Sequence, residues 1–190
     1  MNKLLVGGIA LMGTAFTSCA GTATETDLRK EDSKVLVVYY SATGTTEKVA
    51  KEIADATGGT LFEIIPEQEY TAADLDWHDG NSRSSLEMND MSSRPEIRNG
   101  KLNLDSIETI FIGYPIWWDQ APRVVNTFID NNDLKGKKVI TFCTSGGSSI
   151  DGSTATLRQT YPELDIVQGA CLNRKSKSEI ESWIKELNIN

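Results

Sequence analysis

The chain has 190 residues, 39% of them hydrophobic and 24% charged, and its 27 acidic side chains outnumber 19 basic ones for a formal net charge of −8. That length and apolar content provide a single packed core and exclude a second domain of ordinary size. The acidic balance excludes nucleic acid as a partner, since phosphate backbones are bound through clustered Lys and Arg, and it points to small molecules or basic protein surfaces.

The first residues read as a processing signal. Lys3 forms a short basic region, Leu4 to Phe16 an apolar stretch with small residues, and Cys19 closes it. The stretch is too short for a permanent bilayer-spanning helix. Thr17-Ser18-Cys19 resembles a bacterial lipobox, in which the cysteine is acylated and becomes the first residue of the mature protein, with Phe16 standing where an aliphatic residue is usual. The alternative is an ordinary secretory signal cut near Ala20 or Ala23. The expected organisation is a lipoprotein signal peptide over 1–19, a flexible polar tether over 20–33 and one domain over 34–190. The expected location is the bacterial cell envelope, with the domain outside the cytoplasm and its only membrane contact through the lipid.

From Lys34 onward short apolar runs alternate with helical patterns, the signature of a parallel sheet with crossover helices. Val35 to Tyr40 is a continuous apolar run suited to a strand buried on both faces. Val49, Ala50, Ile53 and Ala54 then share one side of a helix that Gly58-Gly59 stops. Leu61 to Ile65 is the second strand, closed by Pro66, and Ile107 to Gly113 the third. Pro122 stands at a first helical turn ahead of the apolar face Val125, Phe128, Ile129. Val139 to Thr144 and Asp165 to Leu172 are strands four and five. The last helix carries Ile180, Trp183, Ile184 and Leu187 on one stripe, with Ser178 and Glu181 spaced as a capping box.

Residues 67–106, about forty between two strands, exceed an ordinary connection, and loops of that size are often functional. A weak helical pattern runs from Tyr70 to Trp77, followed by a polar run with Arg83, Glu87 and Arg94. Either arginine can meet a negative charge on a substrate or cofactor, the alternative being solvated loop residues. Cys143 and Cys171 sit in strand-like runs and read as core thiols; a disulfide is allowed, but two cysteines form no framework. His78, the only histidine, reads as a surface residue, and no metal cluster accompanies it.

Ser41-Ala42-Thr43-Gly44-Thr45-Thr46 turns the first strand directly into a helix. Hydroxyls and backbone N–H groups converge there on the positive end of a helix dipole, and Gly44 lets the chain pass close to an anion. The turn lacks the Gly-Lys-Ser/Thr of a triphosphatase loop and the spaced glycines of a dinucleotide fingerprint, so it suits a monophosphate.

Val37-Val38-Tyr39 followed by Ser41, Gly44, Thr46, Ala50 and Ile53 resembles the flavodoxin signature. Gly113-Tyr114-Pro115-Ile116-Trp117-Trp118 with Ala121-Pro122, and Thr144-Ser145-Gly146-Gly147-Ser148, resemble the two isoalloxazine loops of a bacterial branch of that family. Asp76-Trp77 and Asn81-Ser82-Arg83-Ser84 with Glu87 resemble that branch's insertion. The resemblance covers Lys34 to the C-terminus. It implies a doubly wound five-stranded parallel α/β sheet in the order 2-1-3-4-5 with helices on both faces, and FMN as cofactor. Ser41, Thr43, Gly44, Thr45 and Thr46 would hold the FMN phosphate. Pro115, Ile116, Trp117 and Trp118 would border the ring on one side and Ser145, Gly146, Gly147 and Ser148 on the other, with no catalytic side chain and no metal. One of the two tryptophans is open to the alternative of packing under its loop.

Two departures bear on function. Flavodoxins commonly place a Gly beside the flavin N5, and Pro115 to Ala121 contains none, with Asp119 where a small residue is usual. The fourth loop, Thr144 to Ser149, has no aromatic to cover the outer ring face. The expected function is electron transfer with a redox partner protein, or flavin-dependent reduction of a small acceptor such as a quinone; the alternative is a non-redox lipoprotein that binds another phosphorylated ligand or a protein partner.

Overall fold

The computed structural model describes residues 33–99 and 101–189. The expected signal peptide, Cys19 and nearly all of the tether lie outside the described residues.

Five strands, β1 (Val35–Tyr39), β2 (Thr60–Glu63), β3 (Thr109–Pro115), β4 (Lys138–Thr144) and β5 (Asp165–Cys171), form one sheet in the order β2-β1-β3-β4-β5. Every pairing is parallel. The expected fold class and strand order are both borne out. Alternate residues of the buried strands enter opposite cores, as a pleat with period two requires. Leu36, Val38, Ile110 and Ile112 pack with Val124, Val125 and Phe128 of α3 (Arg123–Asn131) and Leu157 of α4 (Asp151–Thr160). Val37, Tyr39, Phe111 and Phe142 face the other way, onto Val49 and Ile53 of α1 (Thr45–Thr57) and Ile180 and Ile184 of α5 (Lys177–Glu186).

α4 had no clear apolar pattern because its buried face is largely hydroxyl. Thr154 pairs with Thr141 of β4 at 3.0 Å and Ser153 with the phenol of Tyr114 at 3.1 Å, so a polar layer takes the place of an apolar stripe. The capping box of α5 lies two residues earlier than expected. Ser176 accepts from the Glu179 N–H, and Glu179, also paired with Lys175, accepts from the Ser176 N–H, instead of Ser178 with Glu181. These bonds hold the Glu179 carboxyl down at about 2.

The insertion also differs from expectation. Tyr70 to Trp77 forms turns rather than a helix, because Thr71 and Asp74 bond each other's backbone and side chains, a local alternative to the helical ladder. The helix comes later, as α2 (Arg83–Asn89), with Ser82 as its side-chain N-cap.

Candidate functional site

The carboxyl ends of β1, β3 and β4 lie side by side where the strand order reverses, the place at which open parallel sheets bind ligands. After β1 the chain passes through Ser41–Thr43 and turns at Gly44, which takes φ 81° as the N-cap of α1. A glycine meets that left-handed requirement without strain, and having no side chain it leaves the first N–H groups of α1 uncapped. In the same turn, three residues before Gly44, the Ser41 hydroxyl is buried and has no hydrogen-bond partner. An orphaned buried hydroxyl costs on the order of 1–3 kcal/mol. Together with the uncapped amides it fits a hydrogen-bonding anion such as a phosphate group. Thr43 and Thr45 are exposed, with their hydroxyls 3.4 Å apart. Thr46 points inward and pairs with Thr144 at 2.9 Å, tying the start of α1 to the end of β4.

After β3 the chain reverses at Trp117–Gln120, whose backbones exchange bonds of 3.0 and 2.9 Å. The central residues, Trp118 at φ 46° and Asp119 at φ 57°, are both left-handed, as in a type I′ turn, which favours Asn-Gly. For residues with a Cβ this costs roughly 1–2 kcal/mol each, so the turn must be held from outside. Ile116 donates to the Thr144 carbonyl at 2.9 Å. The Asp119 carbonyl lies so close to α4 that a Cβ on Gly152 would come within 3.1 Å of it.

The third support is Arg123, only 1% exposed. It donates to the Gln120 side chain at 3.0 Å and to the carbonyls of Glu87, Met88 and Asp90, where α2 ends. Burial pulls the guanidinium below its ordinary value and the nearby Arg94 adds to this, but an arginine keeps its charge in a protein. The carbonyl end of α2, where Glu87 also accepts from the Asp90 N–H at 3.3 Å and Asp90 from the Ser93 N–H at 3.1 Å, is the negative end of the helix dipole and suits a cation.

Trp117 is the tryptophan that packs inward. It meets Tyr40 edge-on at 5.7 Å and Tyr70 at 5.2 Å. The Arg83 guanidinium sits 4.0 Å over the Tyr70 ring, and Glu87 accepts from both the Tyr70 phenol and Arg83. Burial, then the bond to Glu87, pushes the Tyr70 phenol well above its ordinary value. Arg94 is likewise engaged, with Asp130 of α3 and the carbonyls of Met91 and Ser93. Both arginines hold the insertion in place, and the expected alternative of solvated loop cations gives way to this anchoring. His78 is exposed.

After β4, Ser145–Ser148 is clamped by Asn173, which accepts from the Ser145 N–H at 3.2 Å and donates to its carbonyl at 3.1 Å. Cys171 donates to the same Asn173 oxygen at 3.4 Å, and both Cys143 and Cys171 are free thiols. Their residues are register partners, and burial, then the contact with Cys171, raises the Cys143 thiol far above its ordinary range.

These loops enclose a cleft of about 660 Å³, a size suited to a cofactor or small ligand. Thr43, all of Pro115–Trp118 and all of Ser145–Ser148 line it. Ser41, Gly44, Thr45 and Thr46 belong to the adjoining turn but not to the cleft wall. Three lining residues, Leu75, Trp77 and Ser84, come from the insertion and had not been singled out for the site. The length of the insertion was the signal that could have found them. Among the described residues no group of three or more His, Cys, Asp and Glu is placed to hold a metal ion, and no helix is long and apolar enough to cross a membrane.

The sequence profile of the flavodoxin family matches residues 34–187. Among solved structures, a candidate flavoprotein from Bacteroides eggerthii is 50% identical, covers 84% of this chain and 100% of its own, and superposes with a TM-score of 0.80. One from Bacteroides uniformis is 51% identical over 80% and 97% of the two chains, with a TM-score of 0.78. A flavoprotein from Lactobacillus acidophilus in complex with FMN, 23% identical over 80% and 98%, shares the fold with a TM-score of 0.63. A search among curated proteins found no match.

Proposed function

This chain belongs to the flavodoxin family, and from that premise we propose that it binds FMN and serves electron transfer, either to a redox partner protein or to a small acceptor such as a quinone. The orphaned Ser41 hydroxyl, in the turn that leads into the uncapped start of α1, is the observation that carries this reading. A phosphate there accepts from Ser41, Thr43 and Thr45 and from the first amides of α1. Thr46 acts from behind, fixing the turn against Thr144. Pro115–Trp118 and Ser145–Ser148 border the ring and keep water from it, with the Asn173 clamp holding the second loop in position. Bound FMN supplies the redox chemistry; the protein supplies position and electrostatics, and no side chain of the chain need react. The net charge of −8 suits docking on a basic partner surface.

From the apolar stretch that runs into Thr17-Ser18-Cys19 we further propose that the domain sits in the bacterial cell envelope, held to a membrane by lipid on Cys19. The test is to incubate the full chain, in mild detergent, with FMN and then desalt it. Retained visible flavin bands with a perturbed shape support the proposal, and a folded but colourless protein overturns it. In cells, sedimentation with membranes that Cys19→Ser abolishes supports the anchor; sedimentation unchanged by that substitution overturns it.

A further inference from the structure

The cleft has two walls built by the core fold and one built by the insertion. The loop after β4 contributes only Ser and Gly, with no aromatic to cover a flat ring. The insertion contributes Trp77, which is 66% exposed and among the largest apolar surfaces the described residues leave in water.

Trp77 is held in place although it is exposed. The Asp76 carboxylate accepts from the His78 N–H at 3.0 Å, and the Asp76 carbonyl accepts from the Asp79 N–H at 3.1 Å. Ser84 donates its N–H to the Asp74 carbonyl at 3.0 Å, fastening the turn to α2. The His78 imidazole lies against the indole, with ring centroids 3.5 Å apart and planes 34° apart. Those bonds fix the loop before any ligand arrives, so little ordering entropy remains to be lost on binding. A water-facing indole lining a cofactor-sized cleft is a surface awaiting an apolar flat partner.

Resting on the FMN reading above, we propose that Trp77 is a flavin-binding residue of this chain, one that contacts the isoalloxazine from the insertion side and takes the part the loop after β4 leaves unfilled. The contact is with the ring and not the phosphate, so it serves riboflavin and FMN equally. With Trp77 against the ring, a partner reaches the flavin at its edge.

Titration of the full chain with FMN and with riboflavin, followed by quenching of flavin fluorescence, tests the proposal. Trp77→Ala should weaken both ligands by a similar factor, on the order of tenfold, and Trp77→Phe should restore most of the loss. Leu86→Ala removes a comparably exposed apolar side chain of α2 that does not line the cleft, and should leave both affinities unchanged. Equal FMN affinity in the parent and Trp77→Ala overturns the role of Trp77 while leaving the FMN reading intact. So does an equal loss in Leu86→Ala, or a loss confined to FMN. Failure of the parent chain to take up either flavin overturns the FMN reading and the inference with it.

Discussion

The turn after β1 and the turn after β3 stand next to each other on the same sheet edge, yet they are made in opposite ways. In the first, the one residue that must be left-handed is Gly44, and conformation follows from local preference. In the second, Trp118 and Asp119 are both left-handed against their preference, so the turn exists because its surroundings impose it. The contrast teaches that one turn can be read from six letters, whereas the other depends on Thr144, Gly152, Arg123 and the end of α2. Backbone strain of this kind gathers at functional sites, and here it presents Trp118 to the cleft.

The largest effect should come from breaking the outside support. Arg123→Ala removes one donor from each of three carbonyls at the end of α2 and from the Gln120 amide. We expect a loss on the order of 3 kcal/mol, the upper end for hydrogen bonds made by a charged group. Urea denaturation measures it, and a loss below roughly 1 kcal/mol would show that the β3 turn stands without the arginine.

Next in size is removal of the strain itself. Replacing Trp118-Asp119 by Asn-Gly gives the type I′ turn the residues it favours and should raise stability by about 2 kcal/mol, visible as a higher melting temperature. The same change strips an aromatic from the cleft, so flavin retention should fall. A protein no more stable than its parent would mean that the surroundings already relieve the turn.

The smallest effect belongs to the relaxed turn. Ser41→Ala deletes an unpaired buried hydroxyl and should stabilise the ligand-free protein by about 1 kcal/mol or less. It should weaken FMN severalfold and leave riboflavin unaffected, since the hydroxyl serves the phosphate. An equal loss for both flavins in calorimetric titrations would remove Ser41 from the phosphate site.

How much of this was legible in the sequence follows the same divide. The five strands were legible as short apolar runs, and α1 and α3 because their apolar residues share one side of a helix. α4 was not, because Ser153 and Thr154 reach the core through hydroxyl pairs. At α5 the observed box, Ser176 with Glu179, has the same spacing as the expected Ser178 with Glu181, and the Lys175–Glu179 pair accompanies it. Within the site, the turn after β1 was legible from its composition and the loops after β3 and β4 from their resemblance to the flavodoxin family. The share of the insertion was not, because Trp77 is set by turns that depend on Thr71, Asp74 and Asp76 bonding the backbone, and no sequence pattern marks Arg123 as buried.

The insertion lies within the segment that joins β2 to β3, so the sheet cannot form its central pairing until Val35 finds Thr109, roughly seventy residues further along. Closing a flexible loop costs only about 0.6 kcal/mol more for each doubling of its length, so the equilibrium hardly registers the added chain, whereas the folding rate falls as contacts become more distant in sequence. A crossover at this position can therefore lengthen and change over evolutionary time with little thermodynamic penalty. In this chain that freedom opens directly onto the rim of the cleft, where new side chains alter what the site meets without disturbing the sheet beneath it.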